Sequence, residues 1–187
     1  FSFYATKSIT SGEGGAVSTD SEEISETLKI LRLHGINKDA ANRYTKYYEH
    51  WDMPLLGWKY NMDNIHAALL IGQLERIEDL WEKRDRLWKR YEEGLRDIKD
   101  LTLLKSIPDI KHARHIFTVL APPGKRDFLL HALQKRGIGV AVNYRPIHLL
   151  GYYRKTFGYK EGDYPIAEFI GENTISLPLY PALSETE

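Results

Sequence analysis

One lysine near the start of the chain, Lys7, stands between two short apolar runs and could serve covalent chemistry. The run Phe1-Ser-Phe-Tyr4 precedes it, a turn rich in Ser, Thr and Gly follows it, and Ala16-Val17 begins the second run. A primary amine held between two strand-like segments can act as a nucleophile. For a lysine considered alone, however, a solvated position at the end of a strand is the more common interpretation.

The spacing of the residues around Lys7 distinguishes it from an ordinary surface lysine. Ser2 lies five positions before Lys7, and Gly12-Glu13-Gly14-Gly15 follows it. This segment resembles the active-site segment of the DegT-type, StrS-like sugar aminotransferases, which are fold-type I enzymes that use pyridoxal 5'-phosphate (PLP). The resemblance implies that Lys7 forms the Schiff base with PLP and that Ser2 binds the cofactor phosphate.

A second segment resembles the same family. Gly57-Trp-Lys-Tyr-Asn61 leads into a helical pattern that contains Ala67-Ala68 and Gln73-Leu74. In the family an asparagine at this helix start reaches the PLP phosphate of the partner subunit, and Asn61 is the matching candidate, although family members often have arginine at its position. A helix N-terminus favours a phosphate because its free N–H groups and its dipole attract an anion. The resemblance therefore implies a homodimer with shared active sites.

Three residues beyond position 100 have counterparts near the substrate in the family. His115 lies on a predicted strand that resembles a histidine-bearing strand of the substrate pocket. Tyr144 and His148 belong to a Tyr-x-Pro-x-His segment that is similar to one near the sugar nucleotide. His112 and His115 have a metal-ligand spacing for a helix, but on a strand they would face opposite sides. We therefore predict no metal site.

The elements around Lys7 are expected to form the end of a large α/β domain, residues 1–60. Residues 15–19 have a strand pattern, and Asp20 then caps a helix in a capping box with Glu23. Gly35 is placed to end this helix. Residues 36–58 have no regular pattern, and the matching family loop lies near the substrate site, often that of the neighbouring subunit.

The rest of the chain is predicted to be a long connecting helix region, residues 61–98, and a small α+β C-terminal domain, residues 99–187, which is truncated. Asn61 or Asp63 can cap the long helix, whose apolar residues recur with a period near 3.6. In the small domain the patterns predict strands at 101–104, 115–120, 139–143 and 175–179, and helices at 125–136 and 163–171. The predicted fold class is thus α/β, the fold-type I transferase class.

Composition excludes several classes of function. Basic and acidic residues number 26 each, which gives no reason to expect nucleic acid or an anionic membrane as a partner. The chain has no cysteine and no apolar run long enough to span a membrane. Nucleophile-elbow, Walker A and dinucleotide motifs are missing as well. We expect a cytoplasmic protein, and the aromatic start of the sequence predicts that it is a piece of a longer chain.

Together these patterns predict a PLP-dependent aminotransferase. The resemblance implies transfer of an amino group, from L-glutamate, to a keto-sugar nucleotide such as a UDP- or dTDP-4-keto sugar, with Lys7 as the base that moves the proton. Related sugar dehydratases carry histidine at this position, so Lys7 favours transamination. The aspartate that pairs with the PLP ring nitrogen lies upstream of the lysine segment in the family. The alternatives are a non-catalytic fragment or interaction module, and an ordinary α/β module with a surface lysine.

Overall fold

A computed structural model describes residues 1–37, 47 and 50–184. The chain divides into two compact units, Phe1–Ile77 and Glu78–Glu187. The boundary falls inside the predicted connecting helix region. The domain bounds at residues 60 and 98 remain a prediction, and the two units are described separately below.

The first unit contains helices α1 (Glu22–Leu31) and α2 (Asn64–Leu74). Helix α1 is capped by Ser21, whose Oγ accepts from the N–H of Ile24 at 3.3 Å. The prediction that Asp20 and Glu23 form the cap is therefore wrong. Asp20 and Glu23 have carboxylates that suit a helix N-terminus. The helix begins at Glu22, however, so Ser21 is the residue directly before it, and its hydroxyl oxygen is the group that reaches the free N–H of Ile24.

The predicted strand at 15–19 is reduced to a single bridge. Ser2 pairs antiparallel with Gly15, and Tyr4 makes a parallel bridge with Gly12. Residues 16–19 have no regular structure. The apolar runs before and after Lys7 therefore do meet, as a short irregular hairpin instead of two full strands.

The predicted long helix is two helices, α2 and α3 (Ile77–Leu95). The N–H of Arg76 donates to Gln73 O at 3.2 Å, three residues back. The carbonyl four residues back, Gly72 O, accepts instead from Arg76 Nε at 2.9 Å. The regular α-helical hydrogen-bond pattern therefore stops after Leu74 and resumes at Ile77.

The second unit is built on a three-stranded antiparallel sheet in the order β1 (Thr102–Leu103), β2 (Phe117–Leu120) and β3 (Thr174–Leu177). Phe117 faces Leu177 and Leu120 faces Thr174 in the register. The predicted strand at 139–143 contributes only a bridge between Ala141 and Ser176. Three α-helices accompany the sheet in the described residues of this unit besides α3: α4 (Arg126–Lys135), α5 (Gly151–Phe157) and α6 (Pro165–Asn173), and a 3-10 helix spans Ile147–Leu149.

The core of the second unit joins helix α3 to this sheet. Trp88 of α3 packs edge-on against Phe117 of β2, with 4.7 Å between the ring centroids. The buried apolar residues of this cluster are Trp88, Phe117, Val119, Ala121 and Ile175. Arg84, also on α3 and buried, donates to the carbonyl oxygens of His115 at 3.2 Å and Leu179 at 2.9 Å. Helix α3 thus supports the sheet by apolar packing, and its Arg84 also forms hydrogen bonds to the segments that flank strands β2 and β3.

Candidate functional site

Lys7 lies in the turn of the hairpin in the first unit. Its N–H donates to Tyr4 O at 2.9 Å, and its side chain is half-buried. The N–H of Phe3 donates to Gly14 O at 2.8 Å, and the N–H of Ser11 donates to Phe3 O at 3.0 Å. The backbone on both sides of the lysine is therefore fixed, while its side chain is only half-buried.

The glycines after Lys7 are required by the geometry of this turn. Gly14 has a φ of +119°, and a Cβ there would lie 2.4 Å from Met62 Cε. A Cβ at Gly15 would lie 2.7 Å from Phe1 O. Both positions need a residue without a side chain, which explains the Gly-Glu-Gly-Gly sequence in physical terms.

Gln73 of helix α2 fastens the turn. Its Oε1 accepts from the N–H of Thr10 at 2.9 Å, and its Nε2 donates to Thr10 O at 2.7 Å. Thr10 Oγ1 in turn donates to Phe3 O at 3.0 Å. The sequence pattern contains Gln73 but gives it no role, because a contact between residues 63 positions apart leaves no local signal. The lysine turn is thus held from two sides, by the glycine segment and by α2.

Ser2 and Asn61 lie in the same unit as Lys7. Ser2 is exposed, and its Oγ accepts from the N–H of Tyr4 at 3.4 Å, which leaves the hydroxyl hydrogen free to donate. Asn61 is half-buried, and its Oδ1 accepts from Lys59 Nζ. These two side chains and the Lys7 amine are the groups of the first unit that the sequence predicts for the cofactor.

The segment before Asn61 is anchored on the C-terminal end of α1. The N–H of Trp58 donates to Leu31 O and the N–H of Tyr60 donates to Arg32 O, both at 2.8 Å. A Cβ at Gly57 would lie 2.2 Å from the nitrogen of Gly35. The two glycines let the segments cross in contact, and this crossing sets the position of Asn61.

Asp63, not Asn61, caps helix α2. Its Oδ1 accepts from the N–H of His66 at 2.9 Å and its Oδ2 lies 2.6 Å from His66 Nδ1. These bonds, the backbone N–H first, lower the pKa of the Asp63 carboxyl group. A carboxylate therefore occupies the helix N-terminus, where the sequence predicts a phosphate. The Asn61 amide, two residues earlier, is the group left for that role.

Two positions of the irregular segment 36–58, Asn37 and Asp52, are joined in the structure. The N–H of Asp52 donates to Asn37 Oδ1 at 3.0 Å, and the N–H of Asn37 donates to Asp52 O at 3.1 Å. Residues 38–46 and 48–49 lie outside the described residues, so the predicted role of this loop near a substrate stays a prediction.

The second unit contains a cleft of about 650 Å³ that has an aromatic lining. Tyr144 and His148, both predicted for the substrate, lie in it together. The other lining residues are Arg145, Pro146, Ile147, Tyr153, Phe157, Tyr159, Tyr164, Ala167 and Ile170. Aromatic faces, a guanidinium group and phenol hydroxyls suit a ligand with a planar ring and an anionic group.

His148 is buried in the wall of this cleft. Its Nε2 lies 2.8 Å from Glu168 Oε1, and its ring packs edge-on against Tyr164 with 4.8 Å between the centroids. The N–H of Gly162 and then the bond from His148 hold the pKa of the Glu168 carboxyl group below its ordinary value. Glu168 is itself buried and has no counterpart among the predicted site residues. The sequence gives no sign of this pair, since its members are 20 positions apart.

His115 lies apart from the cleft. It lines a separate cavity of about 320 Å³ together with Trp88, His112 and Ser106. Regular strand structure begins only at Phe117, so His112 and His115 are on an irregular segment. Among residues 1–37, 47 and 50–184, no cluster of three His, Asp or Glu side chains is arranged to hold a metal. The described part of the chain also has no helix that is long and apolar enough to cross a membrane.

Comparison with known proteins identifies relatives over the whole sequence. The model of the DegT/DnrJ/EryC1/StrS aminotransferase family matches residues 1–187. An uncharacterized protein of Methanocaldococcus jannaschii is 44% identical over 195 residues, and the match covers 100% of this chain and 50% of that protein. The spore coat polysaccharide biosynthesis protein SpsC of Bacillus subtilis is 38% identical over 196 residues, with the same coverage. The chain thus spans about half the length of the curated relatives it matches.

Solved structures give the same result for the fold. The PMP-form of Spr1654 from Streptococcus pneumoniae, a candidate sugar aminotransferase, has a TM-score of 0.87 at 31% identity, over 100% of this chain and 49% of that one. The same protein has also been solved in a PLP-form. PseC of Helicobacter pylori, an aminotransferase involved in the biosynthesis of pseudoaminic acid, has a TM-score of 0.86 at 28% identity, over 98% of this chain and 48% of that one. These neighbours agree with the predicted α/β class and confirm the resemblance, whereas the predicted division into domains remains untested.

Proposed function

Because this chain belongs to the DegT/DnrJ/EryC1/StrS aminotransferase family, we propose that it carries the lysine-bearing part of a PLP-dependent sugar-nucleotide aminotransferase. The observation that carries the proposal is Lys7 in its fastened turn. A half-buried amine whose backbone is fixed by Tyr4 and whose loop is clamped by Gln73 is suited to covalent attachment. An ordinary solvent-exposed lysine at the end of a strand does not require hydrogen bonds that hold its turn in this way.

The residues of the first unit fit the chemistry of PLP. Ser2 offers a free hydroxyl hydrogen and Asn61 an amide, and both are suited to donate hydrogen bonds to a phosphate. When bound, PLP supplies an aldehyde carbon and an electron-withdrawing ring. The Lys7 amine would hold the cofactor through that carbon. In its free form the same amine would take the proton from the α-carbon of the amino donor and deliver it to the cofactor carbon, which is the proton movement that transamination requires.

The chemistry of the second unit supports a sugar nucleotide as the proposed amino acceptor. The aromatic cleft, with Tyr144 and Arg145 exposed and His148 in its wall, suits a nucleotide-linked keto sugar, whose base can stack and whose diphosphate can meet a guanidinium group. The amino donor in this proposal is L-glutamate, and the acceptor is a UDP- or dTDP-4-keto sugar. His115, in its separate cavity, is the weaker candidate for a substrate contact.

The assembly in this proposal is a homodimer with shared active sites. The resemblance of the Asn61 segment to a family segment whose asparagine reaches the cofactor of the partner subunit supports it, and the Asn61 side chain does not cap α2, since Asp63 does. The relatives are about twice as long as this chain, and the proposal therefore concerns the full-length protein. Assays of the 187-residue chain alone test the alternative, in which this chain is a fragment without catalytic activity.

Absorption spectroscopy and mass spectrometry test this function. The full-length protein should show the visible band of a lysine-bound PLP, and borohydride reduction should fix the cofactor on the peptide that contains Lys7. Lys7→Ala should lose both signals and the transfer of an amino group. Lys29→Ala is the matched control, because Lys29 is an exposed lysine on α1. Cofactor fixed on another lysine, or a band that survives in Lys7→Ala, would overturn the proposal.

A further inference from the structure

We propose that Glu168 is the positioning residue of the aromatic cleft, and that its carboxylate holds the cleft walls in the geometry that receives the sugar nucleotide. This inference rests on the proposed function, since it takes the cleft as the place of that substrate. Glu168 does not line the cleft itself. It acts through His148 and through the turn that carries Tyr164.

The carboxylate of Glu168 ties together two segments of the cleft wall. Its Oε1 lies 2.8 Å from His148 Nε2 on one side. On the other side it accepts from the N–H of Gly162 at 3.0 Å and from the N–H of Tyr164 at 3.2 Å, and Oε2 also lies 3.0 Å from Gly162 N. A single buried group thus fixes a histidine ring and a tight turn.

The rings that these contacts hold are rings of the cleft. His148 packs edge-on against Tyr164, with 4.8 Å between centroids, and against Tyr159 at 6.3 Å. Tyr159 and Tyr164 contact each other at 5.8 Å. All three line the cleft. A displacement of the 162–164 turn would therefore move the aromatic faces on which a nucleotide could stack.

Helix α6 also holds the other end of the same wall. Gly171, three residues after Glu168 and so on the same helix face, lies against Pro146: a Cβ at Gly171 would be 2.5 Å from Pro146 Cδ. Pro146 is buried and lines the cleft between Tyr144 and His148. Arg126 Nη1 donates to Gly171 O at 2.7 Å and fixes this end of α6. Helix α6 is therefore the support of the 144–148 segment, and Glu168 is its polar contact.

The charge of Glu168 matters for this role, beyond the volume of the side chain. Glu168 is in the first turn of α6, where the helix dipole favours a carboxylate. A glutamine would fill the same space but would present an NH₂ group to one of the N–H donors that the carboxylate now accepts from. The variant Glu168→Gln should consequently keep the fold and loosen the wall.

Two-substrate kinetics separate positioning from simple stability. In full-length Glu168→Gln we expect the KM for the keto-sugar nucleotide to rise about tenfold, as loss of a charge-assisted hydrogen-bond set predicts, with the KM for the amino donor within about twofold of wild type. The Kd for UDP, measured by calorimetry, should rise by the same factor. Glu172→Gln is the matched control, since Glu172 is exposed on the same helix.

A second variant covers the case in which Glu168→Gln fails to fold. Gly162 has a φ of +91°, so Gly162→Ala strains the turn while the carboxylate stays in place. It should also weaken UDP binding. Gly124→Ala is its control, because Gly124 has a φ of +73° in an exposed turn with open space around it.

The outcomes distinguish this inference from the proposed function. A wild-type protein that lacks lysine-bound PLP, or fails to react with the amino donor, contradicts the proposed function whatever Glu168 does. An active wild type in which Glu168→Gln and Gly162→Ala lower only the Tm, and leave the sugar-nucleotide KM and the UDP Kd unchanged, overturns the inference and makes Glu168 a structural residue. Selective loss of sugar-nucleotide affinity in both variants, with normal reaction with the amino donor, supports it.

Discussion

At the scale of single residues, the position of Lys7 depends on contacts that its own neighbours in sequence do not supply. Gln73 binds both the N–H and the carbonyl oxygen of Thr10, three residues after the lysine. A side-chain amide that satisfies two backbone groups acts as a substitute for a strand pair. The turn that carries Lys7 and helix α2 are therefore linked through one glutamine.

Replacement of Gln73 tests that link. Gln73→Ala should lower the free energy of unfolding by about 1–2 kcal/mol, because two half-buried backbone groups of Thr10 lose their partners. Urea unfolding of the full-length protein measures this effect. The visible band of lysine-bound PLP should weaken in the same variant, since the Lys7 turn loses its attachment.

Gln134→Ala is the control for this prediction, because Gln134 is an exposed glutamine on α4. If Gln73→Ala changes the free energy of unfolding and the PLP band as little as Gln134→Ala does, the hydrogen bonds of Gln73 have no part in holding the lysine turn.

Asp85 gives the second unit a pH-dependent contribution to stability. Burial acts to raise the pKa of the Asp85 carboxyl group, but bonds from Lys89 at 2.7 Å and Arg114 at 2.8 Å outweigh it and hold the pKa below its ordinary value. Its contribution is therefore complete above the unfolded-state pKa, about 3.9, and is lost as the pH falls through the lower folded-state value.

The variant Asp85→Asn should accordingly be less stable than wild type by about 2 kcal/mol at pH 7, and the difference should shrink below about pH 4. Denaturant unfolding at pH 7 and pH 3 measures both parts of the prediction. Asp97→Asn, at an exposed aspartate, is the control. A difference that stays constant from pH 7 to pH 3 would show that Asp85 contributes by packing and not by its charge.

At the scale of elements, the crossing of two glycines positions the segment that carries Asn61. A Cβ at Gly57 would lie 2.2 Å from Gly35 N and 2.6 Å from Leu31 O. Backbone atoms cannot rotate away as a side chain can, so even one added methyl group must separate the segments. The position of Asn61 is thus decided by the end of α1.

Two alanine substitutions with opposite expected effects on the free energy of unfolding test this crossing. Gly57→Ala should destabilise the protein by about 2–3 kcal/mol because of the overlap with Gly35 and Leu31. Gly94→Ala, in α3 with no atom within 4 Å of the added Cβ, should stabilise it by about 0.5–1 kcal/mol. Thermal and urea unfolding of both variants give the comparison. Equal tolerance of alanine at the two positions would mean that the segments do not cross in contact.

The elements that the sequence predicts well are those with local signals. Helices α4 and α6 and strands β1, β2 and β3 lie within a few residues of the predicted ranges, because apolar periodicity and terminal glycines mark them. The 61–98 helix is interrupted at residues 75–76, where the Arg76 N–H bonds three residues back, and apolar periodicity does not report such a local change. Helix α5 is not predicted, because its seven residues are too few to show a periodic pattern, although Tyr153 and Phe157 lie four positions apart.

The residues of the candidate site also divide into those with a local sequence signal and those without one. The roles of Lys7 and Ser2 are predicted from a family resemblance that residues close together in sequence carry, and they stay a prediction. The roles of Gln73 and Glu168 are not predicted, because these side chains act on residues 63 and 20 positions away. Their roles follow from tertiary packing, which a single sequence does not record.

At the scale of the whole molecule, the chain covers about half the length of the relatives it matches, and the proposed function therefore concerns the full-length protein. Within the first unit, Asn61 is set by the end of α1 and Lys7 by the clamp on α2. A Cβ at Gly14 would lie 2.4 Å from Cε of Met62, the residue after Asn61, so the two positions are also linked to each other. In the proposed homodimer, Lys7 of one subunit and the Asn61 residue of the other subunit belong to the same active site.

Mixed dimers of the full-length protein test that statement. Lys7→Ala should be inactive, and Asn61→Ala should lose at least about tenfold in activity through a missing phosphate hydrogen bond. When equal amounts of the two variants are unfolded and refolded together, half of the dimers contain one subunit of each kind. Each such dimer has one site with Lys7 and the partner's Asn61 both intact. The mixture should recover about a quarter of the wild-type activity. If both residues serve the same subunit's site, every site carries one of the two lesions, and mixing should recover nothing above the average of the separate variants.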